Sequence, residues 1–242
     1  MRVALISDIH ANLEALTAVI ENIADQNIER ILCLGDVIGY GSDPSPCLEL
    51  VNRTCDVKLM GNHEYAALGM LSSEYYHDDA KKSAEWTHQC LTDYDLSIIS
   101  TFEMDHTFEE LYLVHASPHE PQRWHYILQP EMAQQAFQHF NTGLCFFGHS
   151  HLPMIFVESP GRLPRIKAGH DFVPDRDNRY LINVGSVGQP RDADPRACYT
   201  IFDLEQYDVT FVRVPYDIEA AQRKMEKAKL PKMLIERLSV GR

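Results

Sequence analysis

The chain has 242 residues, of which 45% are hydrophobic and 24% are charged, and its formal net charge at pH 7 is −13. These values predict a single domain over 1–242 with a sizeable core. They argue against a nucleic-acid-binding protein, because an acidic surface repels phosphate backbones. No apolar run is long enough to span a membrane, no signal peptide is visible, and the six cysteines form no C-x-x-C pair. We therefore expect a cytoplasmic protein with reduced thiols.

The first predicted unit is a strand over 3–7, a helix over 13–24 and a strand over 31–34. The strand is a short, branched apolar run that ends at Ser7 and Asp8. Asn12 is placed to cap the helix, whose apolar residues recur at helical spacing. A strand, helix and strand in this order favour a parallel pair of strands.

The rest of the chain divides into two parts with different patterns. Up to residue 150 we predict a helix near 44–53, strands over 57–60, 111–114 and 144–147, a helix near 130–140, and a strand-free helical insertion over about 65–105. After residue 150 the alternation of apolar and polar residues predicts antiparallel strands near 154–158, 180–184, 198–204 and 207–214. The Pro- and Gly-rich stretch 159–178 is predicted as a loop or hairpin, and helices are predicted from Asp217 and Pro231.

Polar side chains follow five of these predicted strands at the point where each strand ends. Because the ends of parallel strands meet at one edge of a sheet, we expect the side chains to converge there. Each residue alone has an ordinary interpretation as a turn residue, helix cap or satisfied histidine, but two carboxylates, an amide and several imidazoles together predict a metal centre. The residues are Asp8, His10, Asp36, Asn62, His63, His115, His149 and His151.

The number of candidate ligands favours two metal ions over one. A catalytic zinc ion commonly takes three protein ligands and a water, so two ions that share a carboxylate would use the whole set. Imidazole-rich ligation suits transition metals better than Mg²⁺ or Ca²⁺. Two divalent ions would outweigh two carboxylates and a hydroxide, so the centre would attract an anionic oxygen such as that of a phosphate.

In order and spacing, these motifs resemble those of the calcineurin-like metallophosphoesterases. The resemblance spans about 1–190, and a closer likeness to the compact bacterial branch that includes the YfcE-like phosphodiesterases is carried by 7–16 and 183–191. Ala11 and Val184 stand where that branch commonly has Gly and Pro, which affects only local loop shape. The family motifs are present as Asp8-Ile9-His10, Gly35-Asp36, Gly61-Asn62-His63-Glu64, His115 and Gly148-His149-Ser150-His151.

The resemblance implies a fold and a role for each motif residue. The fold is a four-layer α/β/β/α sandwich of two packed mixed sheets, with the helical insertion near the active site. His63 is implied as the general acid that protonates the leaving alcohol, and its alternative is a residue that orients the Asn62 loop. One ion would be held by Asp8, His10, Asp36 and His151, and the other by Asp36, Asn62, His115 and His149.

The sequence therefore predicts a binuclear metal-dependent phosphoesterase for a small phosphorylated molecule. A hydroxide between the two ions would attack phosphorus in line, with manganese as the first choice of metal and iron, nickel or zinc as alternatives. Phosphomonoesters and phosphodiesters both remain open as substrates. A non-catalytic protein-binding scaffold on the same fold is the alternative function. A metallo-β-lactamase fits poorly, because its H-x-H-x-D-H motif comes early in the chain.

Several further residues have two interpretations each. Arg191 would contact phosphate or lie on the surface, and Trp86 would line the substrate mouth or form the core of the insertion. Five other residues would either shape the pocket or belong to ordinary loops and solvated faces: His77, Asp78, Asp79, His119 and His125.

Overall fold

The computed structural model describes residues 1–71 and 78–242. His77 lies outside the described residues. The described strands are β1 (Arg2–Ile6), β2 (Arg30–Cys33), β3 (Val57–Lys58), β4 (Asp105–Phe108), β5 (Leu111–Val114), β6 (Leu144–Phe147), β7 (Met154–Val157), β8 (Arg165–Ala168), β9 (Tyr180–Asn183), β10 (Ala197–Asp203) and β11 (Asp208–Val214). The described α-helices are α1 (Leu13–Ala24), α2 (Pro44–Thr54), α3 (Asn62–Ala67), α4 (Asp78–Cys90), α5 (Asp93–Ile99), α6 (Pro130–Ala136), α7 (Ile218–Lys227) and α8 (Lys232–Glu236).

The strands form two mixed sheets. The first sheet has the order β11-β10-β1-β2-β3 and the second the order β4-β5-β6-β9-β7-β8. The predicted parallel pairing of β1 with β2 is confirmed, with Val3 opposite Arg30. The late strands do not form a sheet of their own, because β10 joins β1 and β9 lies parallel to β6. The alternation of apolar and polar residues along a strand predicts which face is buried, but it does not predict the strand's direction in the sheet or the strand it pairs with.

The apolar run of β1 is continuous because both faces of this central strand are buried. Val3 and Leu5 point into the layer between the two sheets, where they meet residues of the second sheet such as Phe146. Ala4 and Ile6 point the other way, into a cluster formed with the first-sheet helices. The strand is therefore covered by a sheet on one side and by helices on the other.

The outer face of the second sheet is covered by α6 and the turn that follows it. Phe137 from this region packs with Cys145, Phe147 and Phe156 of the sheet. Helices, first sheet, second sheet and helix are thus stacked in four layers, as predicted. No helix within the described residues combines the length and the apolar character needed to cross a membrane.

The segment predicted as a strand-free helical insertion contains α4 and α5, but a strand begins at its last residue. Strand β4 starts at Asp105 and pairs with β5, and just before it Glu103 forms a bridge with Leu59. The prediction missed this edge strand because its four residues alternate between exposed and half-buried, and only Phe108 is strongly apolar. The backbone N–H of Tyr40 donates to Ser83 Oγ at 2.8 Å, so α4 is tied to a loop that follows β2.

Candidate metal centre

The predicted ligands converge at the strand ends of both sheets, not at the edge of one. Asp8, Asp36 and Asn62 follow strands of the first sheet, whereas His115 and His149 follow strands of the second. Backbone hydrogen bonds join these loops, with the Asp8 N–H donating to the Gly35 carbonyl at 3.0 Å. The site therefore lies where the two packed sheets end side by side.

Five of the predicted site residues have a backbone φ between 50° and 66°, in the left-handed region. Non-glycine residues seldom adopt this conformation, and the cost is accepted mainly where it places a side chain for function. At each strand end this turn directs the side chain into the space between the loops. The five are Asp8, His10, Asp36, His149 and His151.

Asp8, His10 and His151 form the first group of buried candidate ligands. The Nε2 atoms of the two histidines are 3.0 Å apart, and Asp8 Oδ1 lies 3.4 Å from His151 Nε2 and 3.9 Å from His10 Nε2. The three ligand atoms lie within 4.8 Å of one another. This spacing allows one small cation to contact all three.

The orientation of these two imidazoles fits a metal ion. His10 Nδ1 lies 3.2 Å from the Ile38 carbonyl and His151 Nδ1 lies 2.6 Å from the Gln189 carbonyl. A carbonyl oxygen only accepts, so each Nδ1 carries the proton and each Nε2 presents a lone pair. The two lone pairs face each other at 3.0 Å, which is unfavourable unless a cation takes both. Two nitrogens bound to one ion at about 2.1 Å, at angles between 90° and 109°, would lie about 3.0–3.4 Å apart.

Asp36, His115 and His149 form the second group. Asp36 Oδ2 lies 3.2 Å from His115 Nε2, and His115 Nδ1 donates to the Leu34 carbonyl at 2.8 Å, so Nε2 is the ring nitrogen that faces the Asp36 carboxylate. The ring of His149 meets that of His115 edge to face at 5.1 Å, and the buried Asn62 begins α3 beside them. The three ligand atoms of the group lie within 4.8 Å of one another.

Asp36 connects the two groups. Its Oδ2 atom is 3.8 Å from His10 Nε2 of the first group as well as 3.2 Å from His115 of the second. Its Oδ1 atom accepts the backbone N–H of His63 at 3.0 Å, which fixes the plane of the carboxylate. A carboxylate in this position is suited to bridge two ions.

Burial and neighbouring charges shift the pKa values of the candidate histidine ligands in opposite directions. Burial lowers the pKa of His149 to about 3 and holds those of His10 and His151 well below their usual value, so these imidazoles are neutral at pH 7. Burial opposes a charge on His115, but the Asp36 and Asp8 carboxylates raise its pKa to about 9. A cation near His115 would take the place of that proton beside Asp36.

Glu64 is a fully buried residue beside the candidate ligands to which the sequence analysis assigned no role. Its Oε2 accepts the N–H groups of Asp36 and Gly61 at 2.9 and 2.8 Å, and its Oε1 accepts those of Val37 and Ile38 at 2.8 and 3.1 Å. Burial raises the pKa of the Glu64 carboxyl to about 7, while the backbone donors act in the opposite direction. The side chain joins the loop after β2 to the start of α3. Its only signal in the sequence is its place in Gly61-Asn62-His63-Glu64.

His63 lies beside the first ligand group in a tightly packed position. Its ring meets that of Tyr40 at 4.5 Å and that of His10 at 5.0 Å, both edge to face. Burial lowers the pKa of His63, and the Asp36 carboxylate acts against this. Gly39 packs so closely that a Cβ there would lie 2.1 Å from His63 Nδ1.

Two tyrosines that the sequence analysis did not single out adjoin the centre. Tyr126 stacks on His149 at 4.1 Å, and the ring of Tyr40 lies 4.6 Å from that of His10. Both line an open cleft of about 740 Å³ that also reaches Asn62 and Trp124. A cleft of this size admits a small organic ligand.

The other singled-out residues occupy different surroundings. Trp86 packs against the apolar cluster of α7 and α8 and is a structural residue. His125 lines the cleft described above. Arg191 is half-buried and, together with Asp78 and Asp79, lines a neighbouring cleft.

Residues 1–207 match the calcineurin-like phosphoesterase superfamily domain. The chain therefore belongs to the calcineurin-like phosphoesterases and is a phosphoester hydrolase of this metal-dependent family. The predicted family resemblance is thereby confirmed.

Similar proteins come from archaea and bacteria. The chain is 38% identical over 244 residues to the uncharacterized protein MJ0912 of Methanocaldococcus jannaschii, covering 99% of this chain and 98% of that protein. The crystal structure of a metallophosphoesterase from Sphaerobacter thermophilus is 38% identical and superposes with a TM-score of 0.88, covering 100% of this chain and 99% of that one. The E. coli phosphoesterase YfcE is also among the similar structures, at 18% identity and a TM-score of 0.46 over 89% of this chain and 100% of that chain.

Proposed function

We propose that this phosphoester hydrolase is a binuclear metal enzyme that cleaves a small phosphate mono- or diester. The observation that carries the proposal is the pair of buried ligand groups, Asp8/His10/His151 and Asp36/His115/His149, which the Asp36 carboxylate brings together. We propose Asn62 as a further ligand of the second group. Manganese is our first choice of metal, with iron, nickel and zinc as alternatives.

Two bound ions would lower the pKa of a water and stabilise the charge of the phosphoryl oxygens. The chain's own residues hold this arrangement in place. The backbone carbonyls of Ile38, Leu34 and Gln189 orient three imidazoles, and Glu64 fixes the loop that carries Asp36. Hydrolysis forms one bond from water oxygen to phosphorus and breaks one phosphorus–oxygen bond.

The leaving alcohol oxygen needs a proton as that bond breaks. We propose that His63 supplies it, because its ring lies 5.0 Å from the ring of His10 and close to the Asp36 carboxylate. The acidic chain and the cleft dimensions favour a small-molecule substrate over a nucleic acid.

Hydrolysis of bis-p-nitrophenyl phosphate and p-nitrophenyl phosphate by the metal-stripped protein tests the proposal. We expect added Mn²⁺ to restore turnover, and His63→Ala to lower kcat by at least tenfold without reducing the number of bound ions. The preferred ester would distinguish a diesterase from a monoesterase. No turnover with Mn²⁺, Fe²⁺, Ni²⁺ or Zn²⁺ despite two bound ions per chain would favour the alternative of a non-catalytic scaffold.

A further inference from the structure

Two arginine side chains from distant parts of the chain meet beside the metal centre. Arg191 lies in the loop between β9 and β10, and Arg237 follows α8 near the end of the chain. Arg191 Nη2 and Arg237 Nη1 both donate to the same acceptor, Gln189 Oε1, at 2.9 and 3.0 Å. The shared amide oxygen brings two positive charges into contact distance of one group.

Neither guanidinium is paired with an aspartate or glutamate side chain within residues 1–71 and 78–242, and Arg237 Nε donates to the main-chain oxygen of Arg242. Arg191 Nε is fully buried and has no hydrogen-bond partner there, and burial together with Arg191 lowers the pKa of Arg237 to about 10. Other half-buried arginines of this acidic chain are compensated, as Arg213 is by Asp192 and Arg179 by Glu158. Two guanidinium groups that share one amide acceptor and have no Asp or Glu partner in the described residues fit an anion that binds from outside.

The ring of Tyr40 lies between Arg191 and the candidate metal ligand His10. Arg191 Cζ is 6.0 Å from the ring centre of Tyr40, whose ring in turn lies 4.6 Å from that of His10. The backbone N–H of Arg191 donates to the His151 carbonyl at 3.3 Å. A molecule that places one phosphate at the metal centre can therefore present a neighbouring group to the arginines.

The open space at this position supports the same geometry. An open cleft of about 870 Å³ is lined by both arginines and by Lys82, Tyr40 and Tyr126. The two tyrosines also line the cleft that reaches Asn62 and His149, so the two spaces adjoin. Asp78 and Asp79 at the start of α4 also line the 870 Å³ cleft. Their negative charge leaves only the arginine end of this cleft positive.

Building on the proposed function, we propose that Arg191 and Arg237 form a second phosphate subsite. The substrate would carry a phosphate group in addition to the one that reacts, as a nucleoside diphosphate does. A guanidinium offers planar paired N–H donors that match phosphate oxygens, and Arg191 and Arg237 each carry further N–H groups besides the one that donates to Gln189. The reacting phosphate would lie at the metal centre and the second at the arginines.

Equilibrium binding tests this subsite without depending on turnover. The full chain as purified, dialysed free of unbound metal, would be titrated by calorimetry with AMP and with α,β-methylene-ADP, which resists cleavage between its phosphorus atoms. We expect the wild type to bind the diphosphate at least tenfold more tightly than AMP. In Arg237→Gln and in Arg191→Gln this preference should fall below threefold, and Arg237→Lys should recover part of it.

Arg223→Gln is the matched control, because this arginine on α7 is 62% exposed and its ion pair within the described residues is with Glu219 on the same helix, at 3.4 Å. It should keep the wild-type preference, and thermal unfolding of each variant would establish that the C-terminal segment remains folded. Equal affinity of the wild type for the two nucleotides, or a preference that survives in both glutamine variants, would overturn the subsite. A diphosphate preference without any ester turnover would instead refute the hydrolytic proposal and leave the subsite standing.

Discussion

Gly39→Ala is the sharpest single test of the position of His63. At Gly39 φ is +86°, and an added Cβ would lie 2.1 Å from His63 Nδ1, 2.7 Å from its Cγ and 2.8 Å from its Cε1. Ordinary contact begins at 3.4 Å. The imidazole must therefore move by about 1.3 Å, or the loop that carries Gly39 must move by the same amount.

The expected effects on stability and on catalysis differ in size. A non-glycine residue in the left-handed region costs about 1–2 kcal/mol of folding stability. Displacement of a catalytic group by about 1 Å lowers the rate about 100-fold, which corresponds to about 2.7 kcal/mol in the activation free energy. We expect kcat to fall by this factor with little change in the number of bound ions.

Gly161→Ala separates the two effects. Gly161 has a φ of +71°, but an added Cβ there would have no atom within 4 Å. Both variants should lose a similar part of the strain-related stability in urea unfolding, and only Gly39→Ala should lose activity. Equal kcat values for the two variants and the wild type would show that His63 does not act in the rate-determining step.

Three other predictions concern the centre and the thiols. Glu64→Gln exchanges one carboxylate oxygen for an NH₂ group that faces backbone N–H donors, so we expect the free energy of unfolding to fall by about 3–6 kcal/mol. The control Glu219→Gln, at an exposed position, should lower it by about 0.5 kcal/mol. An unchanged urea midpoint in Glu64→Gln would refute the role of Glu64 in joining the two loops. Mass-spectrometric metal analysis should find one ion per chain in His149→Ala and none in Asp36→Asn, whereas equal losses would argue against a bridging carboxylate. A thiol reagent should label Cys90 rapidly in the native protein, because the other five cysteines are buried, and it should label all six after unfolding. Rapid labelling of more than one cysteine in the native protein would contradict the fold.

The sequence predicted most elements correctly because their signals are local. The apolar run of β1 and the Asn12 cap of α1 report burial and helix start directly, and Asn12 Oδ1 accepts the Ala15 N–H at 3.1 Å as expected of a cap. Strand partners are not local. The insertion of β9 next to β6, and of β10 next to β1, depends on packing between residues far apart in the chain. Strand β4 was missed because only one side of it is half-buried.

The candidate ligand residues could be named from their positions at strand ends, but the groups that orient them could not. Carbonyl oxygens such as those of Ile38 and Gln189 carry no side-chain signal, and they are what leaves an Nε2 lone pair of His10 and His151 at the centre. The left-handed turns at His10 and His151 could not be predicted either, because histidine adopts this conformation more often than most non-glycine residues but still only in a small minority of cases.

The same limit applies to substrate recognition. Arg191 was ambiguous because an isolated arginine after Gln-Pro has no defined partner, and Arg237 had no signal at all. Only the fold brings them to one amide oxygen, Gln189 Oε1, from positions 46 residues apart. The candidate metal ligands leave a motif because each follows a strand, whereas the two arginines of the proposed subsite are brought together only by tertiary packing. If the proposed subsite is correct, substitutions in the loop after β9 and in the residues that follow α8 should change which substrate binds while the candidate metal motif is kept.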